Sequence, residues 1–415
     1  MIEQQMIGRE LQQISQRAQS LMPTDFTRFF SSFFRENEQA KAEGFDLSIG
    51  NVCQIPAVEQ VLQDALIHVS RNSRKLTKYP GTQGYFPLNE KLVELMKKET
   101  GVSFDPEEIV LTNGACDALY GSFYTFSSPG DYSCYCIPSF PYWSIAGKAG
   151  VKSSLIVYKN PFDYTTSYGD AVQRKIESNK RIKTVIINEP HNPIGKLLEP
   201  SQVNSLRDAC VDNNVMPIFD DVYRSFTDSS WVGKDFDMNS AVIVDSFSKR
   251  FGMPGLRLGF ARMPKKLVPY YRASLANQVV GINMITALVA DYILEHEQEN
   301  KLSRKIAREM SERQRKLDGQ LKKLNSGIVS PRPDGGIYRL IELGELARKN
   351  VMPMDASALL MKNGVKTVPG DKLLVHGIDP ERSPKLIRLS VGGEPNTRDA
   401  GQKIVEVLES VQKRK

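Results

Sequence analysis

An α/β fold, with a large domain built on a mostly parallel, doubly wound sheet and a smaller α+β domain, is predicted by two features of the sequence. Up to about residue 260, short apolar runs of strand length alternate with helical segments. Beyond it the pattern turns helical and then reverts to short strands. Such alternation places a parallel sheet between layers of helix. With 415 residues and 40% apolar content the chain can bury a large core, and its length fits two or three domains.

Two one-faced helical patterns open the chain: Ile2, Met6, Ile7, Leu11 and Ile14, then Phe26, Phe29, Phe30, Phe33 and Phe34. Packing on the body or on a partner subunit explains the phenylalanine stripe better than a substrate lid does. Strands are expected at Glu108–Leu111, Tyr132–Ile137, Ser154–Tyr158, Thr184–Ile187, Met216–Phe219 and Ala241–Val244, each an apolar run bounded by turn residues. Residues 262–324 read as almost wholly helical, consistent with a long helix leaving the large domain. The turn Pro331-Arg332-Pro333-Asp334-Gly335-Gly336 then introduces a strand at Ile337–Leu340. A further helix, Lys366–Gly370 and the strand Leu386–Ser390 complete the smaller unit. The expected division is 1–64 for the N-terminal helices and the first part of the small domain, 65–300 for the large domain, and 301–415 for the rest of the small one.

The net charge of +7 arises from 55 basic and 48 acidic residues that are interspersed. Even the densest basic stretch, Lys301–Lys323, mixes in Glu and Asp and reads as a solvated helix face. A nucleic-acid footprint wants segregated charge. Five cysteines (Cys53, Cys116, Cys134, Cys136, Cys210) and four histidines show no metal-ligand spacing, so no metal site or disulfide framework follows. The first residues lack an apolar core of signal-peptide type, and no run of eighteen apolar residues occurs, so a cytoplasmic, reduced protein without a membrane partner is expected.

The chemistry concentrates in Asp245–Phe260, DSFSKRFGMPGLRLGF. Lys249 follows the β-branched run Val242-Ile243-Val244, which puts it just past the C-terminal end of a buried strand, where open α/β sheets hold ligands. An amine there can condense with an aldehyde once desolvation and a neighbouring cation lower its pKa. Ser246, Ser248 and Arg257 would clamp a phosphate. The strand, glycine turn and helix start at Leu111-Thr112-Asn113-Gly114-Ala115-Cys116 offer a second anion site, because a helix N-terminus presents unpaired N–H groups.

These residues resemble the class I/II aminotransferases, a family of the fold-type I enzymes that use pyridoxal 5'-phosphate (PLP). The family's S-x-[SA]-K-x-x-G-x-x-G-x-R-x-G element is complete from Ser246 to Gly259. Its other hallmarks recur in order from Gly50 to Arg388. The resemblance implies an enzyme that moves an amino group between an L-amino acid and a 2-oxo acid through an internal aldimine on Lys249, in a homodimer with shared active sites. It further implies phosphate contacts from Gly114, Ala115, Cys116, Ser246 and Arg257, and from Tyr79 of the neighbouring subunit. Phe140 would stack on the pyridine ring, Asn192 and Tyr223 would bond the phenolic oxygen, and Asp220 would face the ring nitrogen. Gly50, Asn192 and Arg388 would meet the substrate carboxylate. Ile194 departs from the family's usual threonine in the turn Pro190–Gly195, which touches only local turn chemistry.

Several neighbours carry a plainer reading. Asp221 is taken as an acid beside the functional one, and His191 as a structural residue of a proline-flanked turn. Tyr142 and Trp143 stay open between core and substrate pocket. Elimination, cyclisation or oxidation of an amino acid on the same scaffold is the alternative reaction. A PLP-sensing regulator is the rival from another class, but no helix-turn-helix pattern precedes Gly50. The absence of an evident second arginine weighs against dicarboxylic substrates.

Overall fold

The computed structural model describes residues 44–53, 55–297, 301–325, 327–374 and 384–413. The two N-terminal helical patterns, including the phenylalanine stripe, lie outside the described residues. The description begins at β1 (Phe45–Asp46), followed by α1 (Pro56–Arg71) and α2 (Phe86–Thr100). Both helices carry a proline in the first turn, where its missing N–H costs nothing. Val58, Val61, Ala65 and Val69 recur at helical spacing and form the buried stripe of α1. α2 ends at Gly101, whose φ of 75° suits a residue without a Cβ.

The large sheet follows, with β2 (Ile109–Thr112), α3 (Ala115–Phe126), β3 (Tyr132–Ile137), α4 (Tyr142–Lys148) and β4 (Lys152–Val157). Next come α5 (Tyr164–Ser178), β5 (Ile182–Asn188), α6 (Pro200–Asp212), β6 (Met216–Asp220), β7 (Val242–Ser246), α7 (Phe247–Arg250) and β8 (Gly259–Arg262). Seven strands pair in the order β2-β8-β7-β6-β5-β3-β4. Pairing is parallel from β7 to β4, and β8 runs antiparallel to both its neighbours. Burial on both faces explains why β2 and β7 read as unbroken apolar runs.

Strand β8 is absent from the sequence reading, because GFAR is short and its glycine was absorbed into the phosphate motif. Gly259 has a packing reason: a Cβ there would lie 2.6 Å from the Gly114 carbonyl carbon and 2.8 Å from Ala115 N. The long helix expected over 262–324 is also corrected. Among the described residues, that stretch holds the separate α-helices α8 (Val268–Ala276), α9 (Met284–Glu295) and α10 (Leu302–Leu321). Asn283 starts α9 by accepting from the N–H groups of Ile285 and Thr286, an N-cap not read from the sequence. On the basic stretch, Arg313 is buried rather than solvated, donating to the carbonyls of Val391 and Gly392.

The C-terminal part adds β9 (Tyr338–Glu342), α11 (Glu345–Arg348), α12 (Pro353–Lys362), β10 (Val365–Lys366), β11 (Val368–Pro369), β12 (Leu386–Ser390) and α13 (Thr397–Lys413). Strands β11, β12 and β9 form an antiparallel sheet, and β1 pairs in parallel with β10. Ser390 N–H donates to Leu47 O at 2.7 Å and Cys53 N–H to Gly392 O at 3.1 Å, so the segment around Gly50 is tied to β12. Among the described residues no helix is long and apolar enough to cross a membrane, and no His, Cys, Asp or Glu cluster could hold a metal.

Candidate active site

The strand ends of the large sheet converge on one crevice. Asn188 ends β5 and Asp220 ends β6, and the Asn188 amide donates to the Asp220 carbonyl at 2.7 Å. The Asn188 side-chain oxygen accepts the Asn192 N–H at 2.8 Å, which fixes the turn that carries Asn192. Asn192 Nδ2 lies 3.4 Å from the Tyr223 hydroxyl. One strand further on, Lys249 rises from the four-residue helix α7, and its amine donates to Gly50 O. Burial, with the cations of Arg388 and Arg257 nearby, holds the Lys249 amine below its ordinary pKa. Its neighbour Arg250 is anchored by Asp245 and Glu99, so the helix bearing the amine is held by a buried ion network.

Asp220 is fully enclosed. Tyr142 donates to its Oδ2 at 2.6 Å, and its Oδ1 has no partner among the described residues. Burial pushes this carboxyl up to about 6 despite the Tyr142 bond. Phe140 is half-buried and meets Tyr142 edge-on, with ring centroids 5.5 Å apart. Asp221 turns away and accepts the Trp231 indole N–H at 2.8 Å, a structural role. His191 is likewise built into the core, 3.0 Å from Cys136 Sγ and against the Tyr164 ring.

Gly114 caps α3 at φ 86°, and a Cβ there would meet an Arg257 nitrogen at 2.6 Å. The Gly114 N–H already donates to Thr112 O, so this residue offers space, whereas Ala115 and Cys116 offer first-turn amides. Arg257 donates only to the carbonyls of Pro254 and Asn113, and pairs with no carboxylate among the described residues. It holds a left-handed φ of 50°, an uncommon geometry for a residue with a side chain. Ser246 is buried at the end of β7, next to this turn.

From β12, Arg388 donates to Ser48 O at 2.9 Å and keeps a buried Nε without a partner. Its guanidinium stands 4.6 Å from the centre of the Tyr338 ring. Tyr79 alone lies apart: it is 89% exposed and touches none of these groups. Tyr338 had no assigned role in the sequence, and Tyr142 none that could be chosen. The one signal for Tyr338 was its place at the start of a strand, just after the turn ending Gly335-Gly336.

The model of the class I and II aminotransferases matches residues 42–404. The chain belongs to that family. It is therefore a PLP-dependent aminotransferase of the fold-type I class, an enzyme of amino-acid metabolism, as the motifs implied. The aspartate/prephenate aminotransferase of Thermus thermophilus is 25% identical to it, across 82% of this chain and 87% of that protein. The aspartate aminotransferase of Sulfurisphaera tokodaii is 28% identical, across 71% and 74%. The solved structure of the Thermus thermophilus aspartate aminotransferase with maleate shares the fold, with a TM-score of 0.81 at 22% identity over 95% of this chain and 99% of that one.

Proposed function

We propose that PLP sits in the crevice bounded by Gly114, Asp220, Lys249 and Arg257, and that the aminotransferase reaction runs there between an L-amino acid and a 2-oxo acid. The observation that carries this reading is a buried acceptor, Asp220 Oδ1, without a partner among the described residues, in the same site as a lysine of lowered pKa. A buried polar atom without a partner costs about 1–3 kcal/mol, and a ligand whose ring N–H donates to it fits that cost. The unpaired Arg257 and the first-turn amides of Ala115 and Cys116 fit a phosphate, with Ser246 beside them.

When bound, PLP supplies the electron sink that makes loss of the substrate Cα proton accessible. Asp220, ionised, fixes the proton on the ring nitrogen, and Tyr142 orients that carboxylate. Asn192 and Tyr223 bond the phenolic oxygen, and Phe140 covers the ring face. Lys249 would hold the aldehyde covalently at rest. Once displaced by the incoming amine, its neutral Nζ would be the base that takes the Cα proton, and the resulting ammonium would be the acid that gives it back. Arg388 grips the α-carboxylate with a planar fork, assisted by Asn192 and by the backbone at Gly50.

The further parts of the reading are a cytoplasmic homodimer in which the outward-facing Tyr79 reaches the partner's phosphate, and a division at 1–64, 65–300 and 301–415. L-aspartate leads the panel of amino donors to try, because several relatives are aspartate or aspartate/prephenate aminotransferases, and monocarboxylic amino acids stand beside it because the sequence shows no evident second arginine for a side-chain carboxylate. The test is a spectroscopic screen of amino acids on the loaded enzyme. Appearance of the amine form of the cofactor together with a 2-oxo acid is expected. Release of ammonia or a cyclic product without that form would contradict transamination.

A further inference from the structure

Tyr338 occupies a place that none of the assigned roles uses. It stands at the start of β9, 5% exposed, on the three-stranded sheet, yet its hydroxyl lies 3.0 Å from that of Tyr223, which follows β6 of the large sheet. The ring lies under the Arg388 guanidinium. A Cβ on Gly50 would come within 2.3 Å of the same hydroxyl, so a larger residue at 50 and this tyrosine cannot coexist. One side chain therefore touches the groups assigned to the phenolic oxygen, to the substrate carboxylate and to the glycine loop that accepts from Lys249.

The hydrogen bonds run in one direction. Asn192 Nδ2 donates to Tyr223, and Tyr223 donates to Tyr338. That is the order in the cofactor-free protein; once Tyr223 donates to the phenolic oxygen, the Tyr338 hydroxyl supplies the proton between the two tyrosines, next to a guanidinium whose Nε has no partner among the described residues. A guanidinium on an aromatic face is also restrained to one plane, which is what a bidentate carboxylate contact requires.

We infer that Tyr338 is a positioning residue for the substrate carboxylate: its ring orients Arg388, and its hydroxyl links that orientation to Tyr223 and so to the cofactor side of the site. The inference rests on the PLP reading given above. It predicts that substrate affinity and cofactor affinity separate when the residue is changed.

The experiment compares wild-type holoenzyme with Tyr338→Phe and Tyr338→Leu. The probe is the α-methyl analogue of the best amino donor from the screen, which lacks the Cα proton and binds without completing the reaction. Its dissociation constant is read from the shift in cofactor absorbance, and the dissociation constant of PLP is measured separately. In Tyr338→Phe the ring remains and the hydroxyl is lost, so the analogue should bind about 5- to 10-fold more weakly, the range of one hydrogen bond. Tyr338→Leu should weaken it by a further factor of about 5 through loss of the cation–π contact. KM for the amino acid should rise in parallel, with kcat and the PLP constant within about twofold of wild type, since one uniform binding contact is removed. Analogue binding unchanged in both variants would overturn the inference, as would parallel loss of PLP and analogue, which marks a merely structural residue. A wild-type protein that takes no PLP overturns the functional reading itself, an outcome distinct from either of these.

Discussion

The wall of the crevice formed by the large sheet and the wall formed by the three-stranded sheet are built on different principles. On the first, Asn188, Asp220 and Lys249 leave or follow the ends of three parallel strands; Asn188 and Asp220 are held by contacts within that layer, and the Lys249 amine donates to Gly50 O. On the second, Arg388 and Tyr338 come from antiparallel neighbours β12 and β9; Arg388 donates to Ser48 O in the segment tied to β12, and Tyr338 bonds Tyr223 on the other wall. The first wall can be rigid and serve the group that stays. The second carries the groups assigned to the substrate, which comes and goes, and meets the first through the Tyr223–Tyr338 bond.

That contrast breaks if variants of the two walls behave alike. The largest effect is expected from Lys249→Ala, which removes both the covalent anchor and the base, and should lower turnover by about 10⁴-fold or more in a coupled assay. Asp220→Ala comes next, with an expected loss of about 10²- to 10³-fold in kcat and weaker PLP retention on dialysis, as for other single electrostatic groups in enclosed sites. On the opposite wall, Arg388→Lys should raise KM for amino acid and 2-oxo acid about 10- to 100-fold while PLP stays bound, because an ammonium cannot replace the fork. A drop in PLP affinity with Arg388→Lys would erase the distinction.

The smallest expected effect is a pH shift. Burial raises the Asp220 carboxyl to about 6 in the cofactor-free protein, so PLP affinity should fall as pH drops below that value and the acid form dominates. In stability the sign is reversed. A carboxyl whose folded pKa is raised binds its proton more tightly when folded, so the cofactor-free protein loses this contribution as pH rises from about 4 to about 6. Tyr142→Phe removes a bond to the ionised form, and should move the acid limb of PLP binding upward by less than about one pH unit. Titration of PLP affinity between pH 5 and 8 checks the direction, and an unmoved limb would leave Tyr142 as core packing.

The same contrast explains what could be read from the chain before its structure. Lys249, Ser246, Arg257 and Gly259 lie within one contiguous element, where local spacing alone places the chemistry. Asn192, Asp220 and Tyr223 were assigned through their resemblance to family patterns, and for Asp220 its place at the end of an apolar run agreed with that assignment. Arg388 was found through its resemblance to a family pattern, because a strand arginine has no local mark of function. Tyr142 and Tyr338 act through partners 78 and 115 positions away, and no periodicity encodes that pairing. Strand β8 was hidden for a related reason: its four residues are defined by their antiparallel neighbours rather than by their own pattern. The end of α9 at Glu295 and the left-handed Lys301 that precedes α10 escaped because helical composition continues through both.

The central claim is that Lys249 is the amine that carries the cofactor. Borohydride reduction of the loaded protein, followed by mass mapping of its peptides, tests it most directly. The account predicts a stable phosphopyridoxyl adduct on Lys249 and on no other lysine. An unmodified Lys249, or a specific adduct elsewhere, would contradict it.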